Sequence, residues 1–148
     1  MIRSLVSIGS NFNPTKNIKQ VKVLLNKAFE KCIFSGIYRS KSFGFLGPEF
    51  HNLIVSFYTD LSPEALNVLL KVMEKKLGRD ESQKGFSSRV IDLDLIHYGD
   101  LVINNNGLQI PSKDITEHPF ILIPLVEIAG DIEHPVLRIP YKKILEGL

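Results

Sequence analysis

One cysteine, Cys32, stands in a chain of 148 residues. That count leaves no disulfide framework and no thiolate zinc site, and the thiol reads as a small core hydrophobe. No apolar run approaches the roughly 20 residues that a membrane-spanning helix needs, although 44% of the residues are hydrophobic. The stretch from Met1 to Ile8 is too short for the apolar region of a signal peptide and runs straight into the turn-like Gly9-Ser10-Asn11. The expected location is therefore the cytoplasm, with no membrane partner. A net charge of +2 is too slight for an electrostatic nucleic-acid binder. Internal repeats and low-complexity tracts are also missing. What remains is the composition of an ordinary globular protein, 23% charged, expected to close one core as a single domain over residues 1–148.

The stretch that stands out is Ser88-Arg89-Val90-Ile91-Asp92-Leu93-Asp94-Leu95-Ile96-His97-Tyr98-Gly99. Two carboxylates interrupt an apolar, β-branched run that ends at a glycine, which predicts a strand. Alternation puts Val90, Asp92, Asp94 and Ile96 on one face and Ile91, Leu93 and Leu95 on the other, the core side. Two residues of rise, roughly 6 to 7 Å, bring both carboxylates within reach of one centre or two adjacent ones. Unpaired like charges that close repel. One reading places Mg²⁺ between them, a hard ion that takes one or two carboxylates and completes its shell from water and phosphate. Arg89 then supplies a cationic fork for phosphate. The other reading pairs one Asp with Arg89 or a lysine and leaves its neighbour solvated; the mid-run position, where burial without a partner is costly, favours the first.

In chain order, residues 2–8 predict a first strand. Pro14 opens a helix marked by Ile18, Val21, Leu24, Leu25, Ala28 and Phe29 at helical spacing, with Lys16, Lys19, Lys22, Lys27 and Lys31 on the solvated face. Residues 32–40 predict a second strand. The glycine- and aromatic-rich residues 42–48 form either a hydrophobic lid or a ligand-facing loop. Phe50 to Thr59 is the third strand, where Asn52 either ties down the neighbouring loop or reads the edge of a polar heterocycle. Ser62-Pro63 starts a helix striped with Leu66, Leu69, Leu70, Met73 and Leu77 and closed by Gly78. Glu74 lies near its end, where the helix dipole disfavours an acid, a hint of work beyond packing. A polar loop over 79–88 leads into the Asp strand. Gly99-Asp100 is a turn to a short strand at Leu101 to Ile103, and residues 104–107 turn again before Leu108 to Pro111. A loop over 112–118 precedes a helix within Phe120 to Ile128 that starts near Pro124, and the tail from His134 carries one short amphipathic helix.

Strand, helix, strand, strand, helix, strand is the order of the split βαβ: an α+β, ferredoxin-like antiparallel sheet with two helices on one face, here followed by short C-terminal strands and helices. In that topology the Asp strand neighbours the first strand, and the face without helices offers a cleft roofed by residues 42–48, 79–88 and 112–119.

These residues carry a resemblance. Arg89-Val90-Ile91-Asp92-Leu93-Asp94 followed by Tyr98-Gly99-Asp100 is similar to the signature of the 6-hydroxymethyl-7,8-dihydropterin pyrophosphokinases of folate biosynthesis. So are Ile8-Gly9-Ser10-Asn11, Tyr38-Arg39, Gly47-Pro48, Asn52, Gly78-Arg79 and Pro124-Leu125-Val126-Glu127-Ile128-Ala129, in matching order over nearly the whole chain. The resemblance implies transfer of a diphosphoryl group from ATP to the hydroxymethyl group of the pterin, releasing AMP. It implies two Mg²⁺ ions on Asp92 and Asp94, with Arg79 and Arg89 steadying the phosphates as part of the catalytic set. The nucleotide falls to Lys71, Glu74, Arg79, Arg89, Ser112, Lys113 and His118, and the pterin to Asn52, Phe50, Phe120, Phe86 and Gly44. The expected partners are these small molecules alone, bound by a monomer.

The chain also departs from the pattern. The family usually has a basic residue at Glu81, tryptophan at Phe86, proline at Ser88, a phosphate-binding histidine at Ser112 and arginine at His118. Contacts of that kind act mostly in the transition state, so their loss should lower rate more than pterin binding, with Lys84, Lys113 and His118 as replacements. A binding module that holds pterin or nucleotide with little transferase activity is the alternative. An RNA-binding split βαβ is disfavoured, because the K/R-G-F/Y-G/A-F-V-x-F/Y strand is missing and Asp92 and Asp94 repel a phosphate backbone.

Overall fold

A computed structural model describes residues 1–41, 47–78, 91–105 and 107–148. The first strand, β1, covers Ile2–Ser10, two residues longer than the sequence suggests, and α1 covers Pro14–Ala28. Pro14 occupies the first turn, where its missing N–H is no loss, and Asn17 Nδ2 donates to Phe12 O at 2.6 Å to close the entry. The strand expected at 32–40 is two strands, β2 (Glu30–Phe34) and β3 (Tyr38–Ser40). The break has a long-range cause: Ser35 N still donates to Ile54 O at 2.9 Å, but Ile54 N turns to Ser35 Oγ at 2.9 Å in place of a backbone carbonyl, and Gly36 N donates to the Glu127 carboxylate at 2.9 Å and so leaves the ladder.

β4 (Phe50–Thr59) follows, then α2 (Pro63–Lys76), whose Ser62 cap accepts from Ala65 N at 3.2 Å. Gly78 leaves the helix at φ 99°, a left-handed conformation that suits glycine. β5 is Asp92–Tyr98. The Asp pair therefore stands at the entrance of the strand and not mid-run: the β1 pairing stops at Gly9 opposite Asp92. The ribbon β6 (Ile103–Asn105) and β7 (Leu108–Ile110) begins two residues later than expected. The expected loop over 112–118 contains a single helical turn, α3 (Asp114–Glu117), started by Asp114 N donating to Ser112 Oγ at 3.2 Å. α4 is Pro119–Ala129 and α5 is Tyr141–Glu146. Pro119 supplies the start that Pro124 was expected to supply, while Pro124 lies buried inside α4, where packing outweighs the missing N–H.

The sheet order is β2-β4-β1-β5, with β3 also paired to β4 and every pairing antiparallel. This is the expected ferredoxin-like arrangement. On one face Val21 and Leu25 of α1, Phe29 at its C-cap, and Leu66, Leu70 and Met73 of α2 pack against Val6, Ile8, Leu53, Val55, Leu93 and Leu95. Truncating the fully buried Leu70 to Ala would cost about 3 kcal/mol. The second face is not free of helices, contrary to the expectation: Ile121, Leu122 and Leu125 of α4 and Tyr141 of α5 cover Leu5, Ile54 and Ile96. The apolar α4 sequence has no polar face to turn outward on most sides, so it must lie on the sheet. Among the described residues no helix is long and apolar enough to cross a membrane.

Candidate active site

The cavity is the part of the second sheet face that α4 does not reach. Alternation sends Leu5, Ser7 and Gly9 of β1, Phe50, Asn52 and Ile54 of β4, and Asp92, Asp94 and Ile96 of β5 to that face. The three isoleucine and leucine positions are covered by α4, and the rest face an opening of about 210 Å³. Ser40, Lys41, Asp114, His118, Phe120 and Ile121 complete its wall.

The strand register puts Gly9 opposite Asp92 on one side and opposite Asn52 on the other, with Ser7 opposite Asp94. Gly9 thus forms a bare floor between the acids and the amide. A methyl group there would meet Asn52 Oδ1 at 3.6 Å and Phe50 Cδ1 at 3.8 Å, so anything larger intrudes on the cavity.

Asn52 performs the loop-tying role. Its Nδ2 donates to Ser40 Oγ at 2.8 Å and Tyr38 O at 3.0 Å, with Phe50 O at 3.4 Å, and only 6% of the residue is exposed. Because two of those acceptors are carbonyls, the amide orientation is determined: the NH₂ faces β3 and Oδ1 faces Gly9.

Asp94 keeps 49% of its side chain exposed and opens on the cavity. The surrounding protein walls nevertheless crowd it: this burial first, and the Asp92 carboxylate second, push its carboxyl up to about 7, Glu74 adding to the rise and Lys71 opposing it. Glu74 and Lys71 lie behind the dyad. Glu74, 5% exposed, accepts from Leu93 N at 2.7 Å, and Lys71 Nζ donates to Leu93 O at 2.9 Å and to Glu74 Oε2 at 3.1 Å. β5 ends the sheet order among the described residues, and these two α2 side chains satisfy the N–H and C=O of its Leu93. Neither is among the described residues that line the cavity.

A register shift opposite Leu5 and Val6 leaves Ile96 without a β1 partner, and its carbonyl accepts from Ser112 N at 2.9 Å. This bulge carries α3 to the cavity rim. His118 stacks on Phe120, ring centres 4.9 Å apart, and lies 3.7 Å from Asp114 Oδ1. Ser112 Oγ accepts from Asp114 N at the start of α3, and Lys113 is exposed beside it. Gly44, Arg79, Glu81, Lys84, Phe86, Ser88 and Arg89 lie outside the described residues. The structure thus gathers Asp92, Asp94, Asn52, Phe50, Phe120 and His118 into one cavity. Sequence reasoning missed Ser7, Lys41 and Asp114; Ser7 was accessible in principle, once β1 is set antiparallel to β5 with Gly9 against Asp92.

The model of the 7,8-dihydro-6-hydroxymethylpterin-pyrophosphokinase family matches residues 5–130. A protein of Synechocystis sp. named 2-amino-4-hydroxy-6-hydroxymethyldihydropteridine pyrophosphokinase is 35% identical over 137 residues, 89% of this chain and 69% of that one. Its namesake from Haemophilus influenzae is 33% identical over 91% of this chain and 86% of that protein. The folic acid synthesis protein fol1 of Pneumocystis carinii is 38% identical over 97% of this chain, which spans only 20% of that larger protein. In fold, the crystal structure of wild-type Plasmodium falciparum HPPK-DHPS with pteroate superposes at TM-score 0.79 with 14% identity, over 99% of this chain and 44% of that one.

Proposed function

Since the chain belongs to the 7,8-dihydro-6-hydroxymethylpterin-pyrophosphokinase family of folate-synthesis enzymes, we propose that the cavity beside Asp92 and Asp94 is where it carries a diphosphoryl group from ATP to the hydroxymethyl oxygen of the pterin, releasing AMP. The observation that carries this reading is the juxtaposition across Gly9: an acidic dyad on one side and an oriented amide with an aromatic ring on the other.

Asn52 Oδ1 accepts from the N–H edge of the pterin while its NH₂ stays on β3, so the amide enters the complex already oriented. Phe50 and Phe120 take the ring between them; His118 already backs one face of Phe120, which leaves the opposite face for ligand. The bare Gly9 floor admits the flat heterocycle and directs its hydroxymethyl arm toward the acids.

The donor set suits Mg²⁺: two carboxylates on one face, hard in character, one of them half open to the cavity, with Gly9 and Ser7 opposite them on β1. Asp92 and Asp94 would hold the ion, or a pair of ions. Bound there, Mg²⁺ supplies charge neutralisation at the phosphate oxygens and at the attacking hydroxyl, the need that dominates phosphoryl transfer. Lys113 and His118 at the rim, and Arg79 and Arg89, are the cations assigned to ATP. The net charge of +2 and the acidic groups lining the cavity support small-molecule substrates over a nucleic-acid partner; a cytoplasmic monomer is the state proposed for the chain.

Asp92→Ala and Asp94→Ala test the assignment. Each should abolish Mg²⁺-dependent AMP formation with only a small loss of stability; full activity in either variant contradicts it.

A further inference from the structure

Lys71 ends where three oxygens converge. Its Nζ is 2.9 Å from Leu93 O, 3.1 Å from Glu74 Oε2 and 3.5 Å from Asp94 Oδ1. Two of its N–H groups are hydrogen-bonded, to Leu93 O and Glu74 Oε2, and the ammonium faces Asp94 as an ion pair. We propose that Lys71 is a positioning residue: it holds Asp94 and the Leu93 peptide in place and acts as the resident counter-charge of the acidic dyad, a part it cedes to a divalent cation.

The proposal rests on the reading of Asp92 and Asp94 given above. Three carboxylates, Asp92, Asp94 and Glu74, gather about one short stretch of β5, and among the described residues Lys71 is a cation within salt-bridge distance of Asp94 and Glu74. Glu74 cannot turn away, because it is buried and its Oε2 accepts from Leu93 N at 2.7 Å. Asp94 can turn toward the cavity, and Lys71, on a flexible stem with 41% of its side chain exposed, can follow or release it. Lys71 therefore opposes the entry of a second cation while keeping the empty site ordered.

A direct consequence is that removing the ammonium makes the site more negative and tightens divalent-ion binding. For a unit charge about 3.5 to 5 Å away at a partly solvated site, the change is about ten-fold in Kd. The probe is Mn²⁺ alone, without nucleotide, titrated by electron paramagnetic resonance into wild type, Lys71→Met, Lys71→Gln and Lys71→Arg. Thermal melting with and without Mn²⁺ runs alongside. The expected result is a Kd lowered about ten-fold in Lys71→Met and Lys71→Gln, close to wild type in Lys71→Arg, and a larger Mn²⁺-induced rise in Tm for the two neutral variants. Lys71→Gln keeps a hydrogen-bond donor for Leu93 O and serves if Lys71→Met does not fold.

Unchanged or weaker Mn²⁺ binding in the neutral variants overturns the proposal. So does a loss of metal-free ATP binding with Mn²⁺ affinity intact, which would make Lys71 a nucleotide ligand. If wild type and Asp94→Ala bind Mn²⁺ alike, the dyad itself is misread and this inference falls with it.

Discussion

Replacing Asn52 with alanine should damage the protein in two separable ways. The first is structural. The amide NH₂ bonds Ser40 Oγ at 2.8 Å and Tyr38 O at 3.0 Å, the longer contact to Phe50 O adding little. Two such bonds are worth about 1 kcal/mol each, and a carbonyl left without a donor adds to the loss, so the variant should be about 2 to 3 kcal/mol less stable. For a domain of this size that corresponds to a fall in Tm of roughly 6 to 10 °C. The second effect is on the ligand: loss of Oδ1 removes an acceptor from the pterin edge, worth about 1 to 2 kcal/mol or roughly a factor of ten in Kd. Ser40→Ala separates the two, because it removes only the tie to β3. It should lose about 1 kcal/mol of stability and bind pterin like wild type. Thermal melts and calorimetric titration with the pterin, run below the Tm of every variant, measure both quantities. Asn52→Ala binding pterin as tightly as wild type would refute the assignment of Oδ1, whatever happened to the Tm.

Two further predictions follow from geometry and charge. Gly9→Val places a branched side chain where even a methyl already meets Asn52 Oδ1 at 3.6 Å and Phe50 Cδ1 at 3.8 Å; pterin affinity should collapse while Gly9→Ala retains most of it, as calorimetry would show. Buried His97, whose Nδ1 lies 2.8 Å from the Tyr141 hydroxyl, is pulled down to about 4 by burial first and then by His134 and Arg3. Its contribution is complete above its ordinary value of 6.5 and fades as pH falls toward 4; about 2.5 kcal/mol should be lost between pH 7.5 and 4.5. Urea unfolding at both pH values should show that loss shrink in His97→Gln, and an equal loss in both proteins would contradict it.

What could be read from the residues was whatever depends on near neighbours. Ser62-Pro63 announced α2, and the alternation around Asp92 and Asp94 put Leu93 and Leu95 in the core with Ile96 on the opposite face. Glu74, an acid where the helix dipole disfavours one, has a role beyond packing, though it lies at the Leu93 backbone and not among the described residues that line the cavity. Features set by distant partners stayed hidden. The break at Ser35 and Gly36 needs Ile54 and Glu127, and the cover over the second face needs α4 folded back on β4. Pro124 reads locally as a helix start; only burial on the sheet explains its place inside α4. The buried His97 and Tyr141 pair gave no local signal, since its two members are 44 residues apart.

The proposed function requires that this cavity perform the transfer and not merely bind pterin. AMP release from ATP and Mg²⁺, with and without 6-hydroxymethyl-7,8-dihydropterin and with Asp94→Ala as the blank, tests it directly. AMP should form only when the pterin is present and only with Asp94 intact. Pterin binding by calorimetry without any AMP would contradict the account and make the protein a binding relative of its family.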